Sequence, residues 1–272
     1  MTLLTRPIVT AIASGKGGVG KTVIAANLAA WLAEQGYRVL VVDCDLGLAN
    51  MDILLGITPA HTLKDVVFGD KTIHEIITPT DAGFDLIPAC SGVKEMGQLI
   101  YEKVQLVKDT LEPVFSQYDQ VLLDTGAGIS EVVLQFNLFA QKNIIVLNRE
   151  PTSLTDAYAV IKVMSQRFGR RTFAIVVNSA RDEKEANRLF THINTVCKEF
   201  LGLSVDYLGY IVHDDAVPRS IMRRSVLIHD APDSRATKRC AAVARAVVDW
   251  DPSTCYGPAV SPGQSRSGHV AV

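Results

Sequence analysis

The chain lacks several things, and each absence excludes a class of protein. Long hydrophobic runs are missing: the longest charge-free apolar stretch lies near Val23–Ala33 and is interrupted by Asn27. That is too short for a bilayer, which needs roughly 20 apolar residues. An excess of one charge is missing too. The 272 residues carry 27 Lys+Arg against 29 Asp+Glu, a formal charge of −2, which excludes a polycationic nucleic-acid binder and makes DNA an unfavoured partner, although local basic patches remain open. The five cysteines (Cys44, Cys90, Cys197, Cys240, Cys255) form no CxxC and no paired spacing. They define neither a disulfide framework nor a metal cage, and fit reduced thiols in a cytosol. No internal repeat is found. Export is also rejected. Arg6 followed by Pro7–Ala13 has a secretory look, but the apolar run is short for a signal peptide and cleavage would remove the first strand.

What is present is an alternating α/β pattern. With 48% apolar residues the chain is globular rather than disordered, and long enough for a large single core. Strands are expected at Ile8–Ala13, Arg38–Asp43, Phe84–Ile87, Gln120–Asp124, Asn143–Asn148, Thr172–Asn178 and Asp206–Val212. Most are continuous runs of Val, Ile and Leu, the pattern of strands buried on both faces. Helices are expected at Thr22–Gln35, Lys94–Gln117, Ile129–Ala140, Ser153–Phe168 and Glu183–Phe200, with one or two more across Ala216–Trp250. The fold class is therefore α/β, a doubly wound and mostly parallel sheet flanked by helices. Residues 1–250 read as one domain. Residues 251–272, with three Pro, three Gly and four Ser, read as a flexible tail.

The most informative segment is Ser14-Gly15-Lys16-Gly17-Gly18-Val19-Gly20-Lys21-Thr22. Gly15 to Thr22 fits G-x-x-x-x-G-K-[ST] between a strand and a helix. Glycine N–H groups backed by a helix N-terminus cradle a polyphosphate; Lys21 is placed to reach phosphate oxygens and Thr22 to hold Mg²⁺. Gly15, Gly17 and Gly20 also satisfy G-x-G-x-x-G, with Asp43 where a ribose-binding acid could sit. Two features decide against a nicotinamide site: Lys21-Thr22 follows the last glycine directly, and a second acid, Asp124, ends the apolar strand Val121-Leu122-Leu123 in a Walker B manner. The loop therefore suits a triphosphate with its Mg²⁺. A standard loop does not require Lys16. Its ammonium either faces solvent or crosses a dimer interface onto another subunit's phosphates, as an arginine finger does.

The motif KGGVGKT, with its extra lysine, resembles the deviant Walker A loop of the MinD/ParA ATPases. Three further segments narrow the likeness: Asp43-Cys44-Asp45-Leu46-Gly47-Leu48-Ala49-Asn50-Met51-Asp52, Asp124-Thr125-Gly126-Ala127-Gly128-Ile129, and Glu150-Pro151-Thr152-Ser153-Leu154-Thr155-Asp156-Ala157-Tyr158. Together they resemble the MinD-like flagellar-number regulators of the FlhG/FleN (YlxH) type, from about Ile8 to Trp250. The resemblance implies an ATP-dependent homodimer that hydrolyses ATP slowly and regulates flagellar number or placement. Its implied partners are flagellar regulators, basal-body proteins or an FlhF-type GTPase. It implies that Lys16 acts in trans, Lys21 and Thr22 bind phosphate and magnesium, Asp45 orients the attacking water, Asp43 and Asp124 belong to the metal site, Asn178 hydrogen-bonds adenine, and Glu150 lies near the dimer interface. Plainer roles stay open: Asp43 capping the turn after its strand, Asp45 a loop acid, Asn178 a turn former.

Two departures from such regulators are visible. Only seven residues precede the first strand, so the N-terminal helix that stimulates the partner GTPase is not expected. Val212 stands in Ile211-Val212-His213-Asp214-Asp215 where relatives often have proline, so adenine packing is expected to differ; His213 is expected to face solvent. Residues 251–272 lack the apolar and basic faces of a membrane-binding helix. The mildly basic segments Arg219–Ile228 and Lys238–Trp250 are expected to pack on the core. The protein is expected to be cytoplasmic, with weak peripheral membrane contact. Two rival functions share the loop: a carboxylate-activating synthetase, which needs a cleft with extra cations, and a ParA-type partition ATPase, which needs a basic surface. Iron–sulfur carriage is disfavoured because no two cysteines share a bridging spacing.

Overall fold

The computed structural model describes residues 7–45, 50–89 and 96–252, with side chains omitted at 96–103. Eight strands are present among them: β1 (Ile8–Ser14), β2 (Val39–Cys44), β3 (Thr78–Pro79), β4 (Asp85–Ile87), β5 (Gln120–Ala127), β6 (Lys142–Asn148), β7 (Ala174–Ala180) and β8 (Asp206–Val212). They form one sheet in the order β3-β4-β2-β5-β1-β6-β7-β8. Every neighbouring pair is parallel except β3–β4. The helices are α1 (Lys21–Glu34), α2 (Met51–Leu55), α3 (Leu63–Val67), α4 (Ile73–Ile76), α5 (Met96–Phe115), α6 (Glu131–Phe139), α7 (Pro151–Phe168), α8 (Glu183–Leu201), α9 (Ala216–Met222), α10 (Leu227–Asp230) and α11 (Arg235–Asp249).

The continuous apolar runs are explained by the two cores. Successive strand residues point to opposite faces. Val39, Val41 and Leu122 join the side that holds Ala25, Leu28 and Leu32 of α1. Leu40, Val42, Val121 and Leu123 join the side that holds Val107 and Leu111 of α5 and Phe136 of α6. The charge-free stretch Val23–Ala33 is the body of α1, buried on nearly every side. Asn27 within it is not a blemish. Its Oδ1 accepts the Ile228 N–H at 3.0 Å and its Nδ2 donates to the Val23 carbonyl at 2.7 Å, tying α1 to α10.

All seven expected strands are present, and β8 has the expected bounds. The chain between β2 and β4 differs from expectation: it forms α2, α3 and α4, each four or five residues long. Such lengths span barely one turn and carry no helical period, although capping boxes at Thr62/Asp65 and Thr72/Glu75 mark two of the starts. The two-residue β3, with Pro79, forms the sheet edge, where a missing N–H costs nothing. Ala216–Trp250 holds three helices rather than one or two, because Arg224 adopts a left-handed backbone (φ 54) after α9 and Pro232 follows α10. Arg219 sits on α9, while Lys238 and Arg245 are exposed on α11, whose Ala236, Cys240, Val243, Ala244 and Val247 are buried on the sheet and on α1. This is the core-packing arrangement expected of Lys238–Trp250; in Arg219–Ile228 only Ser220 and Val226–Ile228 are buried, and Ile221 and Met222 are exposed. The described cysteines Cys44, Cys197 and Cys240 are buried and free. Residues 253–272, Cys90, Cys255 and Leu46–Ala49 of the acidic loop lie outside the described residues.

Candidate nucleotide site

The site forms at the carboxyl ends of the central strands, where open α/β sheets bind ligands. β1 ends at Ser14 and the loop Gly15–Gly20 leads into α1. Gly20 has φ 94 and serves as N-cap without any side-chain hydrogen bond, and no acid lies in the first turn. The N–H groups at this helix start are thus left for an anion. Packing explains the loop's glycines unequally. A Cβ on Gly15 would lie 2.1 Å from the Asp156 carbonyl oxygen in α7, and one on Gly20 would lie 2.3 Å from Asn178 Nδ2. Around Gly17 and Gly18 there is open space, although Gly18 needs φ 76.

The two lysines are held differently. Lys21 is buried; its Nζ donates to Ser14 Oγ at 2.9 Å, and Ser14 Oγ donates to the Lys16 carbonyl at 2.6 Å. Burial pulls the Lys21 ammonium below its usual range, while Asp124 and Asp45 oppose that shift. Lys16 is half exposed. Its Nζ donates to Glu150 Oε2 and, at 3.2 Å, to Thr152 Oγ1. Glu150 in turn is held below the usual carboxylate range, chiefly by this hydrogen bond and also by one from Asn148.

The segment Glu150–Tyr158 is explained by these contacts. Glu150 is the N-cap of α7 and Pro151 takes the first helical position. Thr152 meets Lys16, Ser153 Oγ accepts the Asn148 N–H at 3.0 Å, Asp156 lies against Gly15, and Ala157 is buried in the core. The helix and the phosphate loop are built as one unit.

Two acids face each other across β2 and β5, where Asp43 is in register with Asp124. Both are buried, and burial pushes both carboxyls above their usual range. Asp43 accepts the N–H groups of Asp45 at 3.0 Å and of Asn50 and Met51 at 3.3 Å each. It thereby holds both ends of the acidic loop. Asp124 is hydrogen-bonded by the Thr22 side chain, yet its buried Oδ1 has no hydrogen-bond partner among the described residues. Such an orphaned acceptor beside a threonine hydroxyl suits a hydrated divalent cation. Among the described residues no three His, Cys, Asp or Glu side chains converge as a cage. Asp45 lies by β5: a Cβ on Gly126 would sit 3.6 Å from its Oδ1.

Beside the loop opens a cleft of ≈ 390 Å³, walled by Gly18–Gly20, Asn178, Ser179, Val212, His213, Val217 and Pro218 among others. That volume lies within the usual range for small-molecule pockets. Asn178 donates from Nδ2 to the Val19 carbonyl at 2.7 Å and accepts the Ser179 N–H at Oδ1, so it fastens β7 to the phosphate loop. His213 is exposed, as expected, yet it also lines this cleft, with Nδ1 3.0 Å from Ser179 Oγ. Ser14, Ser179 and Arg149 also belong to the site and carry no motif role of their own. Ser14 sits inside the motif and was findable; Ser179, at φ 56, is visible only in three dimensions.

Fold and loop together define a P-loop nucleotide-binding protein of the doubly wound α/β class. The profile of a family described as "AAA domain" matches residues 8–171. The antiactivator FleN of Pseudomonas aeruginosa is 36% identical over 242 residues, 89% of this chain and 86% of that protein. The flagellum site-determining protein YlxH of Helicobacter pylori is 34% identical over 226 residues, 82% and 76% of the two chains. Among solved structures, the septum site-determining protein MinD of Pyrococcus horikoshii, complexed with Mg-ADP, superposes with a TM-score of 0.75 at 27% identity, covering 89% of this chain and 96% of that one. The chain belongs to the MinD/ParA family of P-loop ATPases. No described helix is long and apolar enough to cross a membrane.

Proposed function

We propose that the chain is a nucleotide-gated switch that pairs with a second copy when it holds ATP and separates after hydrolysis, thereby setting the number or placement of flagella. The observation that carries this reading is the unequal placement of the two lysines. Lys21 is buried beside Asp124 and Asp45, whereas Lys16 rests on exposed Glu150 and Thr152. On this reading Lys16 leaves Glu150 for the phosphates of a facing copy, and only the pair completes the neutralisation of the triphosphate. A ligand held better by the pair then shifts the equilibrium toward it.

The residue roles follow. Backbone N–H groups of residues 15–22 and Lys21 bind phosphate. Thr22 and Asp124 hold magnesium, which when bound offsets charge on the transferring phosphoryl group. Asp43 supports that metal site by fixing the loop that carries Asp45, and Asp45 orients water. Asn178 borders the base, and Glu150 lies at the face presented to the second copy. The similarity to FleN and YlxH supports the flagellar branch; the partners in this reading are flagellar regulators or an FlhF-type GTPase.

Light scattering with ADP and with a non-hydrolysable ATP analogue tests the switch. The expected result is one mass with ADP and twice that mass with the analogue. Lys16→Ala is expected to bind ATP and stay single; a Lys16→Ala protein that still doubles with the analogue refutes the trans role. Asp45→Ala is expected to stay paired in ATP, and unchanged turnover in it removes Asp45 from the chemistry.

A further inference from the structure

Four side chains that carry or can acquire charge line the cleft beside the phosphate loop: Arg149, Glu150, His213 and Asp214. Three of them are engaged within the protein. Glu150 accepts from Lys16 at Oε2 and from Asn148 at Oε1. Asp214 accepts the Ala216 N–H at Oδ1 and the Ala236 N–H at Oδ2, chiefly the first of which holds its carboxyl below the usual range. His213 meets Ser179 through Nδ1. Arg149, exposed at the carboxyl end of β6, makes no hydrogen bond and no ion pair with any described residue. The cleft's acids are thus already matched, and its guanidinium is not. The same cleft is lined by Gly18–Gly20, which lead into a helix start that carries no acid. A cavity that combines an unmatched cation with an uncapped helix start suits an anion.

We propose that Arg149 binds the phosphate chain of the nucleotide held by its own subunit, its planar fork engaging two phosphate oxygens. This rests on the nucleotide reading above and adds to it a cation outside the loop motif. A guanidinium suits the task because it presents parallel N–H groups and is weakly hydrated, whereas an ammonium acts as a point charge. Arg149 is distinct from Lys16 in acting within one copy, so its contribution belongs to affinity rather than to pairing.

The test is calorimetric titration of the full chain with ADP, while light scattering confirms a single copy throughout. Arg149→Ala is expected to weaken ADP binding about tenfold or more, the loss typical of a hydrogen bond to a charged group. Arg149→Lys is expected to recover part of that loss, and both variants should melt, without nucleotide, at the wild-type temperature. An Arg149→Ala protein that binds ADP within twofold of wild type overturns the proposal, even if its ATP-dependent pairing is impaired, since that pattern means Arg149 serves a second copy. Equal loss in Arg149→Ala and Arg149→Lys accompanied by a lowered nucleotide-free melting temperature also overturns it, by showing a structural role. Wild-type protein that binds no ADP refutes the nucleotide reading itself, and this proposal falls with it.

Discussion

The clearest perturbation is the addition of one carbon at two neighbouring glycines. Gly15 and Gly17 both belong to the phosphate loop and look equivalent in sequence. In the fold they differ. A Cβ at Gly15 meets the Asp156 carbonyl oxygen at 2.1 Å, its carbon at 2.2 Å and the Asp156 Cβ at 2.6 Å. These are about 1 Å or more inside an ordinary contact of about 3.5 Å. Two of the three atoms are main chain in the middle of α7, so no rotamer change relieves the clash. The loop and α7 must part. Overpacking of this kind costs about 1–3 kcal/mol. For a domain of this size that is a fall in Tm of about 2–12 °C, at about 2–4 °C per kcal/mol. Gly17 is exposed and has nothing within 4 Å of the added carbon, so Gly17→Ala should stay within about 0.5 kcal/mol of wild type. Thermal and urea unfolding without nucleotide measure both. If Gly15→Ala unfolds like wild type, or Gly17→Ala proves the less stable of the two, then the loop is not braced by α7 and the account of the Glu150–Tyr158 segment is wrong.

Two further measurements bear on the core and on the buried acids. Asn27→Ala removes the acceptor of the Ile228 N–H at a site that is 2% exposed; leaving that N–H unmatched should cost about 1–3 kcal/mol in urea unfolding, and an unchanged midpoint would show that α10 does not depend on α1. The raised carboxyls of Asp43 and Asp124 set a sign for pH dependence in magnesium-free, nucleotide-free protein. The folded chain keeps protons that the unfolded chain releases, so the contribution is fully present below about pH 4 and is lost as pH rises toward and through neutrality. Asp124→Asn should flatten that fall; a wild-type stability that instead climbs steadily from pH 5 to pH 8, with no change in slope in the variant, contradicts the burial argument.

Much of this was legible in the chain. Seven strands could be read because parallel strands covered on both faces are uninterrupted apolar runs, as in Val39–Val42 and Val121–Leu123. The phosphate loop was legible because its chemistry demands glycines at fixed positions. The short helices α2, α3 and α4 were not, since one turn leaves no period to detect. Nor was the fate of Lys16. Its loop position allowed either solvent or a partner subunit, and its contact with Glu150 and Thr152 arises from residues 134 and 136 positions away. Arg149 is illegible for the same reason: an arginine after a strand carries no signal until its neighbours are known to be engaged elsewhere.

The anchoring of α11 has a practical consequence. Its last turn is fastened by Lys142, whose buried Nζ donates to the Val247 carbonyl at 2.7 Å, and Trp250 Nε1 donates to Asp206 at 2.9 Å. Lys142 and Asp206 are the first residues of β6 and β8, so the last turn of α11 lies at the end of the sheet remote from the cleft. Seven-residue strands put roughly 20 Å between those two ends. A fluorophore attached to an exposed residue of that last turn, such as Asp249, would therefore leave the nucleotide mouth unobstructed, and a surface gripping that turn would present the mouth outward.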